Sequence, residues 1–171
     1  MSLYISAIVI RFLLGYARAD FYNPLSQFLV KITNPVLVPV RRIVPAFGKL
    51  DTSAILVAFV LMVIKLALLS GLGALKSMSP MALLWLSVGE LIRSAIWIYI
   101  VALILLAVIS WIGSSHGNPV APLVNSLVSP LVSPVRRRLP PVGMFDLSPL
   151  VVILGLNILL IIVNSIFPRL F

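Results

Sequence analysis

Apolar residues fill four long stretches of the chain, separated by runs rich in proline, glycine and charge. The first, Leu3 to Ala17, is interrupted by Arg11. At roughly 1.5 Å per helical residue it covers about 22 Å, against about 30 Å for a bilayer core. The shortfall predicts either a native start upstream of Met1 or a thin, tilted first helix. Ala54 to Leu75 is the second stretch, capped from Asp51 or Ser53 and carrying Lys65. Gly71, Gly73 and the segment 76–80 form a turn. Met81 to Ile112 is the third and longest, with Glu90 and Arg93 ahead of a clean span-length core from Ser94 to Ile112. After a loop at 114–117, Pro149 to Phe167 is the fourth, capped from Asp146 or Ser148. The pattern predicts an all-α membrane protein with four transmembrane helices.

Two shorter patterns lie between the spans. Asn23-Pro24 supplies an N-cap and a first helical residue, and Leu25, Phe28, Leu29 and Ile32 follow on one helical face. Val120, Leu123, Val124 and Leu127 repeat that face. About ten residues cannot cross a bilayer, so these are expected to be short amphipathic helices in the interface. Pro35 and Pro130 are expected to end them, because a residue before proline disfavours helix.

The chain then repeats itself. Pro39-Val40-Arg41-Arg42 through Pro45, Gly48, Asp51 and Ser53 recurs as Pro134-Val135-Arg136-Arg137 through Pro140, Gly143, Asp146 and Ser148, 95 residues on without a gap. Asn23-Pro24 matches Asn118-Pro119 at the same offset, and Pro35 matches Pro130. A constant offset over separate runs indicates duplication. Two parallel-repeat units follow, 1–75 and 76–171, each a span, an interfacial helix, a Pro/Arg-rich loop and a span. Such repeats are related by an axis along the membrane normal.

Composition supports a membrane protein. Hydrophobic residues make up 61% of 171, charged residues only 10%, and mean hydropathy is +1.20. Too little polar surface remains to solvate a globule. The net charge is +9, suited to anionic lipid headgroups; nucleic acid is not an expected partner. The chain has no cysteine, which excludes disulfides and thiolate metal sites. Neither a basic leader nor a small-residue cleavage site is present, so no signal peptide is expected.

Candidate chemistry is sparse. The paired arginines read either as a topology and headgroup signal or as a shaped phosphate site. In the second reading Pro39 and Pro45 stiffen the backbone and the guanidinium groups bind in bidentate fashion. Lipid- or partner-binding residues would be Arg41, Arg42, Arg136, Arg137, Arg138 and Lys31. Pro39, Pro45, Gly48, Asp51, Pro134, Pro140, Gly143 and Asp146 would scaffold them, the glycines supplying turns. Asp51 and Asp146 are N-caps or ion-pair partners of the arginines. Arg11, Lys65, Glu90 and Arg93 are charges within apolar runs, hence functional candidates. Lys65 and Glu90 reach similar depth in an antiparallel pair and form a candidate ion pair; alternatively Lys65 snorkels. His116 is a loop residue without metal-ligand neighbours. No catalytic constellation, metal site or cofactor motif is present, and a non-enzymatic role is expected.

Asp20-Phe21-Tyr22-Asn23-Pro24-Leu25-Ser26-Gln27-Phe28, Asn34-Pro35 and Pro39-x-Arg41-Arg42-x-x-Pro45 resemble the YggT family of small bacterial membrane proteins, and Ser129-Pro130 through Asp146 resembles its second repeat. The resemblance covers nearly the whole chain. It implies two copies of a two-span unit in the bacterial inner membrane. It also links the chain to chloroplast relatives associated with cytochrome b6 haem attachment and nucleoid distribution, and to bacterial members associated with cell division or osmotic stress. Family members usually carry a longer apolar lead before the arginine that Arg11 resembles.

The expectation is an organising or assembly protein whose cytoplasmic Pro/Arg motifs bind anionic lipid or a membrane, division or assembly protein, with homo-oligomerisation open. The alternative is a small ion channel or transporter component. Orientation is directly testable. The first and third connections carry Arg18, Lys31, Arg41, Arg42, Lys49 and Arg136, Arg137, Arg138, against Lys76 and Arg169 on the other side. Basic loops stay cytoplasmic, so reporters fused after Phe171 and near Gly117 should read external and cytoplasmic, respectively. A cytoplasmic C-terminal reporter contradicts this topology.

Overall fold

Backbone out of reach of water must satisfy its own amides, and runs of Leu, Ile, Val and Ala do so as helix. The computed structural model describes residues 1–45, 50–73, 78–112, 118–138 and 146–168, the side chains of 110–112 excepted. Among them are six helices: α1 (Ser2–Tyr16), α2 (Pro24–Arg41), α3 (Thr52–Gly71), α4 (Pro80–Ile112), α5 (Val120–Arg136) and α6 (Ser148–Ile166). Three stretches, Thr52–Gly71, Pro80–Ile109 and Ser148–Ile166, are long and apolar enough to cross a membrane, each with mean hydropathy 2.5. No more than 28% of any of them is buried within the protein, so their outward Leu, Ile and Val faces require hydrocarbon as solvent. The expected first span, α1, is apolar but has only 15 residues. The expected turn after α3 lies partly outside the described residues, as do Gly48, Pro140, Gly143 and His116.

α4 is the central element. It packs against α1, α3, α5 and α6. The core gathers Ile5, Ile8 and Leu14 of α1, Leu37 of α2, Met62 of α3, Leu103 of α4 and Val128 of α5. Asn23 caps α2 as expected, its Oδ1 accepting from the Leu25 amide at 3.0 Å, and its Nδ2 donates to the Pro119 carbonyl at 2.6 Å. That bond joins the starts of α2 and α5. The ends of α2 and α5, Arg41 and Arg136, are 95 residues apart, as are the ends of α3 and α6, Gly71 and Ile166.

The expected ends of the short helices are corrected. Neither ends at Pro35 or Pro130. α2 runs 18 residues through Pro35 and Pro39, and α5 runs 17 through Pro130 and Pro134. A proline inside a helix removes one amide and crowds the carbonyl four residues back. In α2 the carbonyls on either side of that of Lys31, the one Pro35 leaves open, receive donors from α1. Tyr4 donates its hydroxyl to the Ile32 carbonyl at 3.2 Å, and Arg11 Nη1 donates to the Val30 carbonyl at 3.3 Å. The polar side of α2 packs inward: Ser26, Thr33 and Leu37 are buried, while Leu25 and Phe28 of the apolar stripe are exposed. The cause is Arg11, itself buried, which donates to Thr33 Oγ1 at 2.5 Å; Thr33 in turn donates to the Leu29 carbonyl at 2.6 Å. A buried guanidinium needs acceptors, and only the polar side of α2 has them. α5 faces no such charge and buries Leu123, Val124 and Leu127 of its apolar stripe.

A second buried arginine ties α4 to the end of α6. Arg93 donates Nε to Asn164 Oδ1 at 3.0 Å, Nη1 to Glu90 Oε1 at 2.7 Å, and Nη2 to the Phe167 carbonyl and, at 3.2 Å, the Pro168 carbonyl. It therefore satisfies carbonyls left open at a helix C-terminus, where cations are favoured. Gly89 permits the approach: a Cβ there would stand 2.5 Å from Phe167 Cβ. Trp85 lies against the Phe167 ring, centroids 4.6 Å apart.

Interhelical polar bonds in membranes contribute about 1–2 kcal/mol. Arg11→Met should therefore lower the thermal unfolding midpoint in detergent micelles, and Thr33→Val should add little in the Arg11→Met background. Fully additive losses would show that the two side chains do not act as a unit.

Candidate functional site

The duplicated motif forms the same corner twice. Helix α2 ends at Arg41, and Arg42 caps it. One residue along a helix turns the side chain by about 100°, so neighbouring arginines face different ways. Arg41, itself exposed, turns toward α3 and pairs through Nη2 with Asp51 Oδ2. Asp51 Oδ1 meanwhile accepts from the Ala54 amide at 3.2 Å and the Ser53 hydroxyl at 2.9 Å, capping α3. Thr52 Oγ1 closes the corner by donating to the Pro45 carbonyl at 2.6 Å. In the second copy Arg136 reaches Asp146 Oδ2 with Nε at 2.8 Å and Nη2 at 2.5 Å, while Asp146 Oδ1 accepts from the Ser148 amide at 2.9 Å. For Asp51, cap and ion pair, alternatives in sequence, are thus one arrangement; Asp146 divides its oxygens in the same way but stands one residue ahead of the N-cap of α6, Leu147.

The second arginines point away. Arg42, Arg137 and Arg138 are exposed and form no ion pair among the described residues. The prolines do not present them on a stiff loop as expected. Pro39 and Pro134 lie inside α2 and α5, and Arg41 and Arg136 are the last residues of those helices. The helix itself supplies the rigidity. Lys31 is exposed on α2, and Lys31, Asn34, Val38 and Arg42 share a face at i, i+3, i+7 and i+11. The equivalent residues of α5 are Ser126, Ser129, Ser133 and Arg137. Together with Ala17, Pro130 and Pro134 they line a cavity of about 420 Å³. Sequence reasoning missed these serines, although the 95-residue offset places Ser126 at the position of Lys31. It used Arg18 only as a basic residue of the first connection; the residue is exposed and takes φ 53° just after α1. That left-handed conformation closes the helix: the Ala19 amide donates to the Leu14 carbonyl at 2.9 Å.

The charges within the apolar runs are mostly engaged. Arg11 and Arg93 hold helices together as described above. Glu90 pairs with Arg93, three residues along the same helix, and not with Lys65; the local partner is already in reach, whereas Lys65 sits half-buried on α3. Among the described residues no group of three or more His, Cys, Asp or Glu side chains could hold a metal ion.

The sequence model of the CCB3/YggT family matches residues 1–72 and 79–167. The chain belongs to the CCB3/YggT family. It is similar to the "Uncharacterized protein in proC 3'region" of Vibrio alginolyticus, with 40% identity over 157 residues, 91% of this chain and 84% of the relative. It is similar to "Uncharacterized protein PA0392" of Pseudomonas aeruginosa, with 40% identity over 170 residues, 96% of this chain and 84% of the relative. "Uncharacterized protein YggT" of Escherichia coli K12 is 33% identical over 160 residues, 93% of this chain and 82% of the relative. No solved structure matches the chain significantly. In this CCB3/YggT protein both matched segments contain the Arg–Asp corner.

Both aspartates titrate low. Burial raises the Asp51 carboxyl, but hydrogen bonds from Arg41 and Ser53, the charge of Arg41 and the Ala54 amide outweigh it and hold it below the ordinary carboxylate value. Burial likewise raises Asp146, and the Ser148 amide and Arg136 outweigh it. A depressed carboxylate contributes stability that is present above its unfolded value of about 3.9 and lost as pH falls through the folded value. Thermal unfolding in micelles from about pH 5 to about pH 3 should show a falling midpoint, and Asp51→Asn with Asp146→Asn should remove that step. An unchanged acid limb in the double variant would show that other groups cause it.

Proposed function

We propose that this chain is a non-enzymatic organising protein of the bacterial inner membrane, with four spans in two parallel repeats and both Arg–Asp corners on the cytoplasmic face, where it binds the phosphates of anionic lipid. One observation carries the reading: in each copy the first arginine is neutralised by an aspartate while the next residue, Arg42 or Arg137, is exposed and unpaired among the described residues. A topology signal needs only charge near the boundary. It does not need one arginine of each pair bound so that the other is held at a set angle. The repeated aspartates supply that arrangement.

The remaining features agree in sign. Arg18, Lys31, Arg42, Arg137 and Arg138 are exposed basic groups, and Ser126, Ser129 and Ser133 set hydroxyls beside Arg137. Guanidinium with neighbouring hydroxyls is a donor set for phosphate oxygens. With α1 as the first span, a helix of about 22 Å crosses a locally thinned bilayer, or its flanking residues snorkel.

Each basic residue near an anionic surface contributes about 1 kcal/mol. Arg42→Gln with Arg137→Gln and Arg138→Gln should therefore weaken retention of phosphatidylglycerol in native mass spectrometry by roughly a hundredfold at low salt. Arg→Lys at the same positions keeps the charge and loses the planar fork, so it should preserve topology while retaining less lipid. Asp51→Asn with Asp146→Asn frees two further arginines and should raise retention. Lipid retention equal to wild type in the Gln variant would reduce the arginines to topology signals.

A further inference from the structure

A crevice of about 800 Å³ opens between α1 and α4 above the start of α5. Leu3, Ser6 and Ile10 form one wall, and Ile98, Val101 and Leu105 the other. Each residue of the first set matches one of the second at the 95-residue offset, so the two helices present the same face to each other. They also run parallel: each leads, through a short connection, into one of the helix starts joined by the Asn23–Pro119 bond. From Leu3 to Leu14 the crevice follows α1 for about 16 Å, close to half of a bilayer core of about 30 Å. Its length is that of one leaflet. Volumes of a few hundred to about a thousand cubic ångströms suit a single ligand.

Charge occurs at one end only, where Glu90 and Arg93 line the crevice beside Ser94 and the half-exposed Trp97. This is the end at which α1 begins, opposite the arginine corners. Arg93 is 7% exposed and turns its N–H groups to Asn164, Glu90 and the carbonyls ending α6. Glu90 is 23% exposed; Arg93 holds Oε1, and no described residue bonds Oε2. The mouth therefore offers a carboxylate oxygen, whose complement is an ammonium group, beside a tryptophan, whose indole ring favours the headgroup region.

We propose that the crevice holds one hydrocarbon chain of an aminophospholipid in the leaflet opposite the arginine corners, with the headgroup ammonium on Glu90. The site rests on the four-span arrangement proposed above and is independent of the anion reading of the arginines. An amine lipid at this end and an anionic lipid at the other would give the protein different lipid contacts in the two leaflets.

The full-length protein released from nanodiscs of equal phosphatidylethanolamine and phosphatidylglycerol should retain one phosphatidylethanolamine in native mass spectrometry. A charge-assisted hydrogen bond favours it by about tenfold. Glu90→Gln should abolish the preference, and Ser6→Phe, which fills the crevice from a partly exposed position, should abolish retention even if Glu90→Gln disturbs Arg93. Phosphatidylethanolamine retained by Ser6→Phe, or no lipid preference in the unaltered chain, overturns the site. The chain lacks cysteine, so Ser6→Cys separates the two readings. Rapid reaction with a membrane-impermeant maleimide in vesicles overturns the four-span arrangement and the site with it. Protection from that reagent without a lipid preference overturns the site alone. Disulfide-linked dimers of Ser6→Cys would mean that a second copy fills the crevice, and would also overturn it.

Discussion

A guanidinium inside an apolar bundle must find its acceptors within the protein, and the arrangement of this chain follows from meeting that requirement twice. Arg11 turns the polar face of α2 toward α1, with Thr33, the Leu29 carbonyl and the Val30 carbonyl as the linked acceptors. Arg93 draws the end of α6 onto α4 through Asn164 and the terminal carbonyls. Hydrophobic contact cannot select these registers, because lipid tails are as apolar as the side chains they would replace. Directional bonds can. The two arginines sit at different places in the duplicated plan: Leu106 occupies the position equivalent to Arg11, and Arg93 lies ahead of the repeated portion of α4. Each half therefore has its own fastening, and the halves need not be identical to share a plan.

The same chemistry explains the division within the arginine pairs. A carboxylate has two oxygens, so Asp51 caps α3 with one and holds Arg41 with the other, and Asp146 divides likewise between the Ser148 amide and Arg136. These pairs are partly exposed, where an isolated ion pair contributes little to stability. Their effect is positional: they fix the angle between consecutive helices and leave the adjacent arginine facing out. Repetition of this detail in both halves is what makes it informative about function.

Much of the plan was legible beforehand. Asn23 as a cap, the all-helical class, the 95-residue repetition and the long apolar runs all rest on local patterns, and the structure reproduces each. The misreadings share a cause. Pro35 and Pro130 were expected to stop helices because proline opposes helix locally, yet donors from Tyr4 and Arg11 reach the carbonyls of the turn before Pro35 in α2. The apolar stripe of α2 was legible, but not that its polar side would turn to the protein, because the buried partner of Thr33 is Arg11, 22 residues earlier. Lys65 was matched to Glu90 by depth, when Arg93 stood one turn away.

The sequence by itself determined what depends on neighbours along the chain. It set helix as the answer to apolar length, caps at Asn23 and Asp51, the duplicated motif, and the predominance of basic over acidic residues. Only the tertiary structure decided which faces meet, because burial in a bilayer carries no preference between protein and lipid for an apolar side chain, and the choice passes to a few polar groups whose partners are distant in sequence. Thr33 for Arg11, Asn164 for Arg93, and the crevice between matching faces of α1 and α4 belong to that second class. So does the separation of Arg41 from Arg42: two adjacent, chemically identical residues become different in role only when Asp51, ten residues on, returns to bind one of them.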